Sequence, residues 1–103
     1  MTHAEKAMEK FMSGFNCAQS VLYSYASELH FDPDTALRMA NGFGAGMGRK
    51  QEVCGAISGA IMVLGLLYGR GERDGTDRHE KTYTMVQKLI DAFVNKYGTI
   101  SKR

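Results

Sequence analysis

Apolar residues recur at intervals of three and four through most of this 103-residue chain, and no stretch of useful length alternates between apolar and polar residues. Because that spacing places apolar side chains on one side of an α-helix, it predicts helices and not strands. The length suits one domain with a modest core. We therefore expect residues 1–103 to form a single all-α domain, a bundle of about five helices joined by short loops.

Glycine, proline and capping residues divide this pattern into segments. Gly14 ends the first predicted helix, Asn16 is a candidate N-cap for the second, Pro33 begins the third, and Gly69 and Gly98 end the fourth and fifth. The predicted helices cover Ala4 to Met12, Cys17 to about Leu29, Pro33 to Asn41, about Glu52 to Tyr68, and about Asp77 to Tyr97. Helical spacing predicts a buried stripe on the second helix, formed by Ala18, Val21, Leu22, Tyr25, Ala26 and Leu29. It predicts a core-facing stripe on the last helix, formed by Tyr83, Val86, Leu89, Ile90, Phe93, Val94 and Tyr97.

The fourth predicted helix is apolar nearly all round and contains small residues, among them Gly55 and Gly59. Small side chains on one face let two helices approach closely. The apolar stretch from Val53 to Tyr68 is shorter than the roughly 20 residues that a membrane-spanning helix needs. We interpret it as the central core helix and expect no membrane partner.

Charge and the N-terminal sequence narrow the expected surroundings. The formal net charge is +2, and no dense basic stripe of the kind that binds phosphate backbones is present, so nucleic acid is not an expected partner. Residues 1–6 carry no apolar run typical of a secretory signal. We therefore expect a cytoplasmic protein.

The only two cysteines, Cys17 and Cys54, are each predicted in the first turn of a helix. Amide groups at a helix start favour negative charge, and the thiolate is the reactive form of cysteine. In an up-down bundle the second and fourth helices run parallel, so both cysteines would lie at one end. Two interpretations stay open: a pair that carries out chemistry, or two small buried hydrophobic residues.

Residues 42–48, which we call the glycine segment, have glycine at every second position. This predicts a loop whose backbone can approach another group closely. Its amides, with Arg49 and Lys50 beside them, can cradle an anion; the alternative is a structural loop that lets two helices pack. No histidine has a second ligand at helical spacing, so no metal site is predicted. The candidate cofactor-binding residues are Asn16, Gly44, Gly46, Gly48, Arg49 and Gly55.

Three segments taken in order, residues 14–19 (GFNCAQ), 43–48 (FGAGMG) and 54–59 (CGAISG), resemble the C_GCAxxG_C_C family of redox-active proteins. The resemblance extends from about Phe11 to Tyr97. It implies cysteine redox chemistry or cofactor binding, without a defined reaction. It also implies that Cys17 corresponds to the first cysteine of the family pattern and Cys54 to the cysteine of its CGAxxG element.

The chain departs from that pattern because the family's remaining two cysteines, expected after the last helix, are not in this sequence. Either the chain is cut short, or it is a member that has lost half of the set. A four-cysteine iron–sulfur or zinc site within one chain is therefore not expected. A two-cysteine disulfide switch remains available, and so does a site shared across a dimer.

Two functional hypotheses follow. In the first, Cys17 and Cys54 are the catalytic residues of thiol–disulfide exchange with a redox partner protein or small ligand, or they jointly hold a cofactor that the sequence does not identify. In the second, the protein is a non-enzymatic module that binds a small ligand or forms a homodimer through the glycine segment and the fourth helix, and the cysteines only pack.

Overall fold

The computed structural model describes residues 1–101. That part of the chain forms five helices of eight or more residues: α1 (His3–Met12), α2 (Cys17–Ala26), α3 (Pro33–Ala40), α4 (Gly55–Tyr68) and α5 (Thr76–Tyr97). A short 3-10 turn, Asn41–Phe43, and one turn of largely left-handed backbone, Gly44–Met47, lie between α3 and α4. Over residues 1–101 the only extended pairing is an isolated antiparallel bridge between Val53 and Ser101. The predicted all-α class is confirmed.

Side-chain caps fix the first three helix starts. The Asn16 Oδ1 accepts a hydrogen bond from the Gln19 amide at 2.9 Å, and an Asp32 carboxylate oxygen accepts one from the Thr35 amide, also at 2.9 Å. The Thr2 hydroxyl accepts from the Glu5 amide at 3.1 Å in the same way. Each cap satisfies an amide that the helix itself leaves without a partner.

Two predicted boundaries are wrong by about three residues. Helix α2 ends at Ala26, before the predicted Leu29, and α4 begins at Gly55 and not at Glu52. The later start of α4 has a local cause: Gln51 has a left-handed backbone with φ 58°, and Cys54 has φ −54° and ψ 131°, which lies outside the helical region.

Helix α2 lies at the centre of the molecule and packs against α1, α3 and α4. Its buried stripe, with Ala18, Leu22 and Ala26 at most 1% exposed, confirms the predicted apolar face. The core residues that cluster with this stripe are Ala36 and Ala40 on α3 and Val63 on α4. Ile57 on α4 is also buried but lies outside this cluster. The second helix therefore organises the core on three sides.

Helices α2 and α4 approach closely and run parallel. A β-carbon on Gly55 would lie 3.1 Å from the Ala18 amide nitrogen, and a β-carbon on Gly59 would lie 2.8 Å from the Ala18 carbonyl oxygen and 3.0 Å from the Val21 β-carbon. Because both helices advance together along this contact, their N-terminal ends lie at the same end of the bundle.

Helix α5 packs mainly along α4. Of its predicted core-facing residues, Val86, Leu89, Ile90 and Phe93 are half-buried, whereas Tyr83, Val94 and Tyr97 are exposed. The prediction for those three was wrong because one neighbouring helix covers only a narrow stripe of a helix surface. Within residues 1–101, no helix combines the length and apolar content that crossing a membrane requires.

Candidate functional site

Cys17 is the first residue of α2, and the residues around it are held by a reciprocal capping arrangement. The Asn16 side chain caps the Gln19 amide, and the Gln19 Oε1 accepts a hydrogen bond from the Asn16 amide at 3.0 Å. The Gln19 Nε2 also donates to the Leu37 carbonyl at 2.9 Å, which ties this helix start to α3. Cys17 is half-buried and carries a free thiol.

Gln19 was not predicted to belong to the site, although the residue is only 8% exposed and its side chain makes two of these hydrogen bonds. The signal was present in the sequence, because Asn followed three residues later by Gln is the pattern of a capping box. The bond from Gln19 to Leu37 depends on tertiary packing and had no local signal.

Cys54 was predicted in the first turn of its helix, but it is the N-cap residue, one position before the first turn of α4, and no side chain caps that start. Its backbone amide donates to the Ile100 carbonyl at 2.7 Å, and its own carbonyl accepts from the Ser58 amide at 3.1 Å. The Val53–Ser101 bridge extends the contact with the C-terminal residues. Cys54 is half-buried and its thiol is free.

The structure brings the two cysteine-bearing helix starts together across Gly55. A β-carbon on Gly55 would lie 3.3 Å from the Cys17 β-carbon and 3.3 Å from the Phe43 carbonyl oxygen. Cys54 directly precedes Gly55. Glycine at this position therefore lets the backbone that carries Cys54 lie against Cys17.

The last four residues of the glycine segment and Arg49 form a left-handed turn, residues 45–49, in which five successive residues have positive φ. The angles are 51° at Ala45, 74° at Gly46, 66° at Met47, 62° at Gly48 and 69° at Arg49. The Gly48 amide donates to the Gly44 carbonyl at 3.0 Å across this turn. A left-handed helical conformation costs roughly 1–2 kcal/mol for each residue other than glycine, so the three non-glycine residues hold an unfavourable backbone.

A pocket of about 420 Å³ lies between this turn and the start of α2. Four of the six residues predicted to bind a cofactor line it: Asn16, Gly44, Gly48 and Arg49. Gly44 is buried against the Asn16 side chain, and a β-carbon there would overlap the Asn16 amide group. The Asn16 Nδ2 donates to the Asn41 carbonyl at 3.0 Å, which joins the pocket wall to the helix that begins with Cys17.

The other two predicted cofactor-binding residues have different surroundings. Gly46 is buried in the left-handed turn, where its carbonyl accepts from the Glu52 amide at 3.0 Å. Gly55 lies at the contact between α4 and Cys17. In residues 1–101, histidine, cysteine and carboxylate side chains form no group of three or more that could hold a metal ion.

Comparison with known proteins gives one match. A family model described as "Putative redox-active protein (C_GCAxxG_C_C)" matches residues 15–101, a span that contains both cysteines and the whole glycine segment. Searches of curated proteins and of solved structures return no match.

Proposed function

This chain belongs to the C_GCAxxG_C_C family of redox-active proteins, and we propose that Cys17 and Cys54 carry its redox chemistry as a pair that undergoes thiol–disulfide exchange. The observation that supports the pairing is the contact across Gly55, where the Cys17 β-carbon lies 3.3 Å from the position of a β-carbon on the residue that follows Cys54. Family membership by itself indicates redox activity and assigns no role to either cysteine.

The proposed exchange proceeds in two steps. The thiolate of one cysteine attacks a sulfur of a substrate disulfide, the substrate S–S bond breaks, and the departing thiolate takes a proton from water. The thiolate of the other cysteine then attacks the protein sulfur of the mixed disulfide and displaces the second substrate thiol. The protein dithiol is thereby oxidised by two electrons to a disulfide, and the substrate disulfide is reduced to two thiols.

The exposure of the two residues supports this chemistry. Both cysteines are half-buried, in contrast to Ala18 directly after Cys17, which is fully buried. A cysteine that exchanges must be reachable by another sulfur, whereas a cysteine that only fills the core need not be. In a cytoplasmic setting, which we also propose, cellular thiols would keep the pair reduced at rest.

Oxidation of the purified protein tests the pairing. We expect excess 2-hydroxyethyl disulfide to convert the reduced protein to a monomer with one intramolecular disulfide, found by mass spectrometry as a peptide that links Cys17 to Cys54. The variants C17S and C54S should each stop at the mixed disulfide. Two thiols that remain free, or that form only links between molecules, would contradict the proposal.

A second candidate function is favoured by the pockets. Besides the pocket at the glycine segment, an apolar cavity of about 430 Å³ lies between α2, α4 and α5, with Tyr25, Val63 and Leu89 in its wall. A non-enzymatic module that binds a small ligand or dimerises here would need no thiol chemistry. The double variant C17A/C54A would then keep its ligand affinity and its mass in sedimentation, whereas the redox proposal predicts the loss of disulfide-reducing activity.

A further inference from the structure

The pocket at the glycine segment has a lining that favours a negatively charged ligand. Among residues 1–101, Arg49 is the only charged residue in its wall, and Asn16 and Asn41 are the other polar residues beside glycine and alanine. None of the described lining residues carries an aliphatic side chain larger than a methyl group or an aromatic ring. Such a wall suits a small anionic, hydrogen-bonding ligand better than an apolar one.

A carboxylate fits this wall through the geometry of arginine. The guanidinium group presents parallel N–H donors that match the two oxygens of a carboxylate. The Asn16 side chain is engaged with the Gln19 amide and the Asn41 carbonyl, so Arg49 is the side chain that selects the ligand's charge. A nucleotide would find no aromatic ring among the described lining residues on which its base could stack. The volume of about 420 Å³ lies within the range of small-ligand sites.

The pocket is adjacent to Cys17 through two connections. Asn16, which lines the pocket, directly precedes Cys17 in the chain. Gly44, also in the wall, directly follows Phe43. The Phe43 carbonyl oxygen and the Cys17 β-carbon each lie 3.3 Å from the position that a β-carbon on Gly55 would take. Cys54, in contrast, has its backbone amide bound to Ile100.

We propose that this pocket binds the carboxylate end of an amino-acid or peptide disulfide and presents the substrate sulfur to Cys17. This inference rests on the proposed exchange function and adds the substrate class and the order of attack. Cys17 forms the mixed disulfide with half of the substrate, the other half leaves as a thiol, and Cys54 resolves the mixed disulfide to release the second thiol.

The kinetic test compares a substrate that carries carboxylates with a neutral one. Second-order rate constants for the reduced protein are measured with glutathione disulfide and with 2-hydroxyethyl disulfide. Because an exposed ion pair is worth at most about 1 kcal/mol, R49Q should slow the reaction with glutathione disulfide about fivefold. The neutral disulfide supplies the reference, so the ratio of the two rate constants should fall by about that factor. The control K50Q removes the neighbouring positive charge, which does not line the pocket, and should change neither rate.

A binding measurement separates recognition from exchange. S-methylglutathione carries the same carboxylates but cannot exchange, so it is added to the C17A/C54A variant. We expect its amide NMR shifts to concentrate in residues 42–49, and R49Q and added salt to weaken the binding.

The possible results test the exchange function and the substrate class separately. If neither disulfide reacts, the proposed function is overturned, and with it the assignment of the bound peptide as a substrate. If both disulfides react and R49Q slows them equally or not at all, the substrate class is overturned while the exchange function stands. If inorganic phosphate shifts the same amides and displaces S-methylglutathione at lower concentration, the pocket is a phosphate site and the inference is wrong.

Discussion

The starts of α2 and α4 carry the two cysteines side by side, yet they are held in place by different means. At α2, side chains make the contacts. Asn16 caps the helix, and the Gln19 side chain accepts a hydrogen bond from the Asn16 amide and donates one to the Leu37 carbonyl of α3. At α4, no side chain caps the helix, and the backbone of Cys54 is bound instead by the carbonyl of Ile100, far along the chain. Cys17 is therefore positioned by the side chains at its own helix start and their contacts with α3, and Cys54 by the C-terminal residues.

This difference has a consequence for exchange. A helix start fixed by its own neighbours keeps its geometry as long as the helix is folded, whereas one fixed by a distant segment can be released without unfolding the core. This difference suits the proposed order of attack, in which Cys17 meets the substrate and Cys54 resolves the mixed disulfide.

The largest expected effect comes from separating the two helix starts. The substitution G59V places two methyl groups where a single β-carbon would already lie 2.8 Å from the Ala18 carbonyl oxygen, and we expect it to lower the free energy of unfolding by about 3 kcal/mol. Urea unfolding measures this. The matched control is G65A in the same helix, where a β-carbon would meet no atom within 4 Å; it should stabilise the protein by up to about 1 kcal/mol. Equal stability of the two variants would contradict the close packing.

The second-largest expected effect is the loss of stability when the side-chain cap of α2 is removed, compared with a substitution at the start of α4. N16A removes a side chain that caps α2 and should cost about 1–2 kcal/mol in the free energy of unfolding. N16S keeps an oxygen for the Gln19 amide and loses only the donor to the Asn41 carbonyl, so it should cost less. C54A, at a start that no side chain caps, should cost less than N16A. A larger loss from C54A would reverse the comparison.

A smaller effect tests the role of the C-terminal residues. Ending the chain at Gly98 removes the carbonyl that the Cys54 amide binds at 2.7 Å, and the loss of one hydrogen bond should cost about 1 kcal/mol. Hydrogen exchange at the Cys54 amide should accelerate by about fivefold, in line with that loss. The Ser20 amide, bound to the Asn16 carbonyl at 2.9 Å, should exchange as before. Equal acceleration at both amides would show that the two starts are not independently held.

The smallest effect concerns acid. The Thr35 amide and hydroxyl both donate to Asp32, and these hydrogen bonds hold the pKa of the Asp32 carboxyl below its usual range. A lowered pKa stabilises the folded state above the ordinary value of about 4, and that stabilisation is lost as the pH falls through the folded value. Urea unfolding against pH should show this loss in the wild type and a smaller one in D32N. The amide cap of Asn16 does not titrate, so N16A should destabilise the protein equally across this range.

The sequence was sufficient for the features that depend on neighbours along the chain. Cap residues and terminal glycines located the helices, and helical spacing identified the α2 face that contains Leu22. The predicted parallel course of α2 and α4 followed from bundle topology and agrees with the contacts of Gly55 and Gly59.

The remaining features depend on contacts between distant residues. The start of α4 was placed too early because the left-handed backbone of Gln51 and the non-helical backbone of Cys54 had no signal in the sequence; the hydrogen bond from the Cys54 amide to the distant Ile100 carbonyl had none either. The exposure of Tyr83 and Tyr97 depends on how few helices lie beside α5. The left-handed backbone of Met47 and Arg49 had no local signal either, because side chains of this kind rarely adopt it.

The left-handed turn also restricts how this stretch can vary. A branched β-carbon is the hardest to accommodate at positive φ, whereas glycine, asparagine and aspartate enter that region most readily. Valine, isoleucine and threonine should therefore be excluded from residues 45–49 in any working version of this chain. A conventional helix of equal length would accept all three at modest cost.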